Sequence, residues 1–171
     1  EILIKVKKAA ICGTDLHIWN WDSWAQEKIK PPMTVGHEFM GVIEEVGKNI
    51  KNFKIGDRVA VESHITGTKS RNARAGKLHL DPDTVNLGVD TDGAFAEYMT
   101  NRTHTLDKVP DDMSDEEATL CVTAGTSMYT LDVMGGLYAG QTIVITGPGP
   151  IGLCAVGVAS ALGAEVILTG T

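Results

Sequence analysis

The chain has 171 residues and a formal net charge of −7; 43% of the residues are hydrophobic and 5% are aromatic. This composition is typical of globular proteins. The excess of acidic residues and the lack of a basic stripe argue against a nucleic-acid partner. The apolar runs are all shorter than the roughly 18 residues of a membrane-spanning helix, so we expect no membrane partner. The three cysteines are widely spaced, which argues against a disulfide framework and for a reducing, cytoplasmic location.

Residues 1–112 are predicted to form a domain of short antiparallel strands. Apolar segments at 2–11, 40–47, 57–63 and 94–100 are separated by glycine-rich turns. Many short strands with such turns are typical of a partly closed β-barrel. The chain starts in the middle of a predicted strand and stops just after another, so we expect it to be a piece of a longer protein.

Residues 113–140 are predicted to form a connecting helical region, and residues 141–171 to form a βαβ unit. Ser114 stands three residues before Glu117, which indicates a capping box at a helix start. In the last segment, "QTIVIT" and "AEVILT" each predict a buried strand, and "LCAVGVASALG" predicts a helix of small residues between them. The fold class expected is therefore mixed β and α/β.

Cys12, His37 and Glu38 are candidate ligands for a metal ion. A thiolate, an imidazole and a carboxylate are ligand types that Zn²⁺ takes, and a catalytic zinc keeps one position open for water or substrate. Alternatively, Cys12 is a small buried hydrophobic residue and His37 a core histidine bonded to the backbone. The combination of "CGTD", "GHE" and a later glycine turn favours the zinc site.

The segments "CGTDLHI", "GHEFMGVIEEVG", "IGDRVAVE" and "DGAFAEY" resemble the zinc-dependent medium-chain alcohol dehydrogenases. More narrowly, "CGTDLHIWNWDSWAQEKIKPP" resembles the L-threonine 3-dehydrogenase branch of that family. The resemblance implies a chaperonin-10-like (GroES-like), partly open β-barrel as the catalytic domain, followed by the first βαβ of a Rossmann domain. It also implies one catalytic Zn²⁺ at Cys12 and His37, with Glu38 as a ligand or as a residue that moves in and out of contact with the metal.

The same resemblance implies that Thr14 and His17 pass the substrate proton to solvent. Zn²⁺ lowers the pKa of a bound hydroxyl group, and a nicotinamide ring accepts hydride. A histidine with an ordinary pKa of about 6.5 can then exchange the released proton near neutral pH. In the alternative interpretation, His17 is only an exposed histidine at a strand end.

The fourth zinc ligand is left open. Threonine and polyol dehydrogenases usually have a Glu-Pro pair in the segment that reads "ATLCVTAGTSMY" here, and other branches have a cysteine. Val122 or Thr123 falls nearest to those positions, and Cys121 comes slightly earlier. Cys121 is either a ligand or a buried thiol, and a water molecule would complete the site without it.

Residues 66–82 form a basic segment with no helical or strand periodicity, so we expect a loop without regular structure. In the family this lobe binds a structural zinc through four cysteines. The family spacing places Gly67, Ser70, Ala73 and Asp81 at those positions. The site is therefore lost, either naturally or by deliberate replacement. Without the metal's contribution to local folding, we expect the lobe to be mobile or held by a neighbouring subunit.

The glycine turn "GPGPIG" is a candidate dinucleotide site. It follows a predicted strand and precedes a predicted helix, which is the context that a Rossmann phosphate-binding turn requires. Its candidate residues are Gly147, Gly149, Pro150, Ile151 and Gly152. An acidic residue that binds ribose is expected about 20 residues later, but the chain has Gly170 there, between Thr169 and Thr171. The missing acid weakens the case for NAD and leaves room for NADP, so the expected cofactor is NAD or NADP.

The expected reaction is oxidation of a secondary alcohol, most specifically the 3-hydroxyl of L-threonine, by NAD(P)⁺. The expected partners are a small-molecule alcohol or amino-acid substrate and, for the full-length protein, further copies in a dimer or tetramer. The 171-residue chain alone is expected to be poorly active. Two alternatives are kept: another polyol or alcohol dehydrogenase of the same family, and a non-catalytic scaffold that was truncated or engineered from this fold.

Overall fold

A computed structural model of the chain describes residues 1–133 and 135–170, which fall into two compact units, Glu1–Leu120 and Cys121–Thr171. The strands of the first unit are β1 (Ile2–Ala10), β2 (Glu38–Val46), β3 (Arg58–Val61), β4 (His64–Ile65), β5 (Val85–Asn86), β6 (Tyr98–Asn101) and β7 (Leu106–Lys108). Its α-helices are α1 (Gly13–Asn20), α2 (Ser23–Lys28), α3 (Arg71–Arg74) and α4 (Asp115–Thr119).

Five strands of the first unit form an antiparallel sheet in the order β6-β1-β2-β3-β7. Alternating apolar residues put one face of this sheet in the core. Ile4 of β1 lies opposite Ile43 of β2, and both side chains are buried. The buried face continues in β3 with Val59 and Val61. The strands predicted near the start of the chain and around residue 43 are therefore confirmed.

The strand predicted at 94–100 starts later than expected, since β6 begins at Tyr98. The backbone N–H groups of residues 93–95 donate hydrogen bonds to the carbonyls of residues 34–36. A Cβ atom on Gly93 would lie 2.1 Å from the Gly36 carbonyl oxygen, so the two segments approach too closely for any side chain at that position. This crossing fixes the backbone immediately before His37.

Helix α4 begins with the predicted capping box, which is confirmed. Ser114 Oγ accepts a hydrogen bond from the Glu117 N–H, and the Glu117 carboxylate accepts one from the Ser114 N–H at 2.8 Å. Arg58 of β3 donates to Asp115 Oδ1 at 2.7 Å and also to the Met113 carbonyl. These bonds attach the start of α4 to β3, the strand next to the sheet edge.

The second unit contains α5 (Cys121–Val133), β8 (Thr142–Thr146), α6 (Pro150–Ala161) and β9 (Glu165–Thr169). Strands β8 and β9 pair in parallel with α6 between them in sequence, so the predicted βαβ unit is confirmed. The prediction that both strands are buried is wrong, since Val144 is 59% exposed and Ile167 is also exposed. Within the described residues this sheet has two strands, and parallel strands become buried only when helices cover both faces.

Among residues 1–133 and 135–170, no helix combines the length and the apolar character that crossing a bilayer would require.

Candidate active site

The ends of β1 and β2 bring the three candidate metal ligands together. Ala10, the last residue of β1, lies opposite Glu38, the first residue of β2. Cys12 therefore follows the last residue of β1 at the same end of the sheet at which His37 leads into β2. Residues that are 25 positions apart in sequence become neighbours because the two strands run antiparallel.

One possible ligand atom from each of Cys12, His37 and Glu38 lies within 4.8 Å of the other two. Zinc–ligand bonds of about 2.0–2.3 Å place atoms on one ion within about 4.6 Å of each other. The three atoms are therefore at or near the separation that a shared ion requires. Glu38 is only 8% exposed, and a buried carboxylate needs a cation or hydrogen-bond donors nearby. The donor set and its geometry fit a zinc ion.

Asp15 is a functional candidate that the sequence analysis missed. It is 7% exposed, its Oδ2 accepts a hydrogen bond from the Cys12 N–H at 2.8 Å, and its Oδ1 lies 3.8 Å from His37 Nδ1. Both Oδ1 of Asp15 and Nδ1 of His37 are buried without a hydrogen-bond partner. A side-chain shift of less than about 1 Å would bring these two atoms within hydrogen-bond distance. The Asp15 carboxylate would then orient two of the three candidate ligands, Cys12 and His37. The sequence signal was available, because an acidic residue in the first turn of a helix commonly bonds to the backbone there.

Thr14 and His17 both lie in α1, so the alternative that His17 stands at a strand end is wrong. Positions three apart share one side of an α-helix. Thr14 Oγ1 is 3.9 Å from Cys12 Sγ, whereas the His17 side chain is 61% exposed. The helix therefore places a hydroxyl beside the candidate metal ligand and an imidazole nearer to solvent. His17 Nδ1 also lies 2.5 Å from Asp22 Oδ2.

The glycine turn connects β8 to α6. Gly147 has a left-handed φ of +95°, and Gly149 is the N-cap of α6, with Pro150 in its first turn. A Cβ atom on Gly152 would come within 1.9 Å of the Gly147 carbonyl oxygen, so the helix packs directly onto the turn. Ile151 lies in the same first turn. This backbone can present a helix N-terminus to a phosphate group, as a dinucleotide site requires.

Gly170 follows β9 at the position where a ribose-binding acid was expected. A Cβ atom there would lie 2.2 Å from Cδ of Pro148. The described turn therefore leaves no room for an Asp or Glu at residue 170. Thr171, the other neighbour considered, lies outside the described residues.

The lobe at 66–82 is more regular than predicted, since it contains α3 and a 3₁₀ helix at Leu78–Leu80. Strands β4 and β5 pair at its base. Ser70 caps α3 by accepting a hydrogen bond from the Ala73 N–H, and Asn72 Nδ2 donates to the Leu80 carbonyl at 2.6 Å. The expectation of an irregular loop is wrong because these short-range side-chain bonds replace periodic apolar contacts. The expected mobility stays a prediction.

The four positions aligned with structural-zinc cysteines are neighbours in two pairs. Ser70 bonds to Ala73, and a Cβ atom on Gly67 would lie 2.7 Å from Oδ2 of Asp81. Asp81 is buried, and its carboxylate therefore fills the space beside Gly67. A glycine, a hydroxyl, a methyl group and one carboxylate do not make a tetrahedral thiolate site.

Cys121 starts α5 in the second unit, and its side chain is exposed. The interpretation of Cys121 as a buried thiol is therefore wrong. Its role as a fourth ligand stays a prediction, as does the completion of the site by water.

Comparisons with known proteins agree with this arrangement. The family described as "Alcohol dehydrogenase GroES-like domain" matches residues 1–111. An L-threonine 3-dehydrogenase of Shewanella sp. is 45% identical over 170 residues, which are 99% of this chain and 49% of that protein. The chain thus spans about half the length of the curated relatives it matches.

Solved structures show the same fold. Galactitol-1-phosphate dehydrogenase from Escherichia coli superposes with a TM-score of 0.89 and 27% identity, covering 98% of this chain and 47% of that one. A Sinorhizobium meliloti protein, described as a zinc-binding dehydrogenase and solved with NADP, superposes with a TM-score of 0.88 and 31% identity. The match covers 98% of this chain and 48% of that one. The expected fold class and the resemblance to zinc-dependent alcohol dehydrogenases are confirmed. The chain belongs to the alcohol dehydrogenase family with a GroES-like domain.

Proposed function

We propose that the protein containing this chain is a zinc- and NAD(P)-dependent dehydrogenase that oxidises L-threonine at its 3-hydroxyl. The observation that carries this proposal is the cluster of Cys12, His37 and Glu38 at the edge of the first unit. The 45% identity to an L-threonine 3-dehydrogenase supports the choice of substrate. Two similar structures support the cofactor class: the Sinorhizobium protein was solved with NADP, and a 31% identical E. coli protein, described as a short chain alcohol dehydrogenase, was solved with NADH.

In the proposed reaction, a secondary alcohol and NAD(P)⁺ give a ketone, NAD(P)H and one proton. Zinc, held by the cluster, would act as a Lewis acid that lowers the pKa of the substrate hydroxyl. The nicotinamide would accept the hydride. The chain's own residues handle the proton: Thr14 receives it through its hydroxyl group and His17 passes it to water. The buried carboxylate of Asp15 accepts a hydrogen bond from the Cys12 N–H and lies 3.8 Å from His37 Nδ1, where it would orient both ligands.

We propose that residues 1–112 form the catalytic zinc domain and that residues 141–171 begin the nucleotide-binding domain. Residues 113–140 form the helical region that connects the two domains. The described βαβ has two strands, whereas a dinucleotide lies across two mononucleotide-binding halves. The 171-residue chain should therefore bind zinc but turn over slowly when it is isolated. We propose a homo-oligomer for the full-length enzyme.

A polyol dehydrogenase is the second candidate, because galactitol-1-phosphate dehydrogenase has the same fold at 27% identity. One experiment separates the candidates: NAD⁺ and NADP⁺ reduction by the zinc-loaded full-length enzyme with L-threonine, L-serine, sorbitol, galactitol 1-phosphate and 2-propanol. We expect L-threonine to give the highest kcat/KM. A higher value for a polyol would favour the second candidate, and zinc binding without turnover of any alcohol would favour a non-catalytic scaffold.

A further inference from the structure

The carboxylate of Asp22 contacts His17 and helix α2 at the same time. Its Oδ2 lies 2.5 Å from His17 Nδ1, and its Oδ1 accepts a hydrogen bond from the Ala25 N–H at 3.0 Å. The bond from Ala25, followed by the bond to His17, holds the pKa of Asp22 below its usual range. Asp22 is therefore an ionised acceptor at neutral pH.

The turn between α1 and α2 keeps this contact in place. Trp21 ends α1 in a left-handed conformation with φ of +49°, so the chain reverses and brings Asp22 back beside His17. The ring of Trp24 lies edge-on to the imidazole, with 6.1 Å between the ring centroids. The His17 ring is therefore bounded by a carboxylate and by an aromatic ring.

The contact has a direct consequence for the proton on the imidazole. An ionised carboxylate can only accept hydrogen bonds, and a neutral imidazole carries its proton on one nitrogen. To bond to Asp22, neutral His17 must carry that proton on Nδ1, which leaves Nε2 bare and able to accept. A ring that is 61% exposed can also release a proton to water.

We propose that Asp22 is a positioning residue for the proton relay and holds His17 in the Nδ1–H tautomer. The proposal rests on the relay role given to His17 in the proposed function. The substrate hydroxyl gives its proton to Thr14 Oγ1, the Thr14 hydroxyl gives its own proton on to His17 Nε2, and His17 becomes an imidazolium. Nε2 then loses its proton to water, and the Nδ1 proton stays on the ring, hydrogen-bonded to Asp22, so His17 is neutral again after each turnover.

The tautomer can be measured directly by ¹⁵N NMR of the histidine side chains in the 171-residue chain, at a pH where His17 is neutral. We expect an excess of the Nδ1–H form of about tenfold or more, as a hydrogen bond to a charged group confers. In Asp22→Asn the amide oxygen can still cap α2, because Asn is as good an N-cap as Asp. Its NH₂ group would then face His17 Nδ1 and shift the proton to Nε2.

Two controls separate this effect from general loss of structure. Asp22→Ser keeps a capping oxygen but cannot reach the imidazole, so it should give a mixture of tautomers with α2 intact. His64 is bonded to Glu62 and serves as an internal reference that Asp22→Asn should leave unchanged. Wild-type His17 in the Nε2–H form, or an unchanged tautomer in Asp22→Asn, would overturn the proposal.

Kinetics of the zinc-loaded enzyme test the role in the reaction. Asp22→Asn should lower kcat about 10- to 100-fold with zinc content unchanged, less than the roughly 10²- to 10⁴-fold loss from removing an acid–base group. The Asp22→Asn effect should disappear in a His17→Ala background, because the two residues act as one unit. Additive effects of the two changes would overturn the positioning role. A wild-type enzyme without turnover would count against the proposed function, and the tautomer measurement would still decide the role of Asp22.

Discussion

Four consecutive residues, Cys12 to Asp15, supply a candidate ligand, a turn, a hydroxyl and a buried carboxylate. Helix α1 starts at Gly13, so its first turn faces the edge of the sheet where His37 and Glu38 lie. Asp15 is the least exposed residue of α1 and contacts both Cys12 and His37. Ligand orientation at this site therefore depends on a residue that is not itself in the ligand set.

Asp15→Asn should weaken zinc binding without removing it. A carboxylate that supports a ligating histidine typically contributes 10- to 100-fold in metal affinity or activity. Competition with a fluorescent zinc chelator should therefore give a dissociation constant higher by about that factor. Asp112→Asn changes an exposed residue of the same unit and should leave the zinc dissociation constant unchanged. Equal affinities for the two variants would remove Asp15 from the metal site.

The Glu62–His64 pair makes a pH-dependent contribution to stability. The hydrogen bond between them lowers the pKa of Glu62 from 4.5 and raises the pKa of His64 from 6.5. The Glu62 contribution is lost as pH falls through its lowered pKa. The His64 contribution is complete below about 6.5 and is lost as pH rises through its raised pKa. The pair therefore stabilises the fold most between about pH 4.5 and 6.5.

Glu62→Gln should remove this contribution. Both side chains are about half exposed, so solvent screening limits the effect to roughly 0.2–1 kcal/mol. Urea unfolding at pH 5.5 should show a larger difference between wild type and variant than unfolding at pH 8.5. A difference that is the same at both values would show that the pair does not titrate as described.

At the scale of elements, the sequence predicted those strands and helices whose signals are local. β1, β2, the α4 capping box and the βαβ unit have periodic apolar residues or a capping pair. Helices α1, α2 and α3 span eight residues or fewer and show no apolar periodicity, so pattern reasoning missed them. The signals for α2 and α3 were single capping residues, Asp22 and Ser70, and such a residue identifies a helix start only when its backbone partner is known.

The turn from β8 to α6 gives a test at the same scale. Gly152→Ala should destabilise the second unit by about 1–3 kcal/mol, because its new methyl group would meet the Gly147 carbonyl oxygen at 1.9 Å. Gly157→Ala lies in the same helix with no atom within 4 Å of the new methyl, so it should be neutral or stabilise by up to about 1 kcal/mol. Urea unfolding of both variants compares them, and equal stabilities would contradict the packing described here.

At the scale of the whole molecule, the candidate metal cluster lies entirely within the first unit, in the part that matches the GroES-like family. The sequence predicted Cys12, His37 and Glu38 as ligands because their motifs are specific. It could not predict the contact of Asp15 with His37, which depends on the antiparallel pairing of β1 with β2. Nor could it predict the packing of Asp81 against Gly67, which depends on how the lobe folds.

We expect this chain to hold one zinc ion at Cys12, His37 and Glu38 and none in the lobe at 66–82. Elemental analysis of the purified chain, after dialysis against a weak chelator, tests it most directly. We predict about one zinc per chain for the wild type and almost none for Cys12→Ser. Two zincs per chain, or one zinc retained by Cys12→Ser and by His37→Ala, would contradict a single zinc site at this cluster.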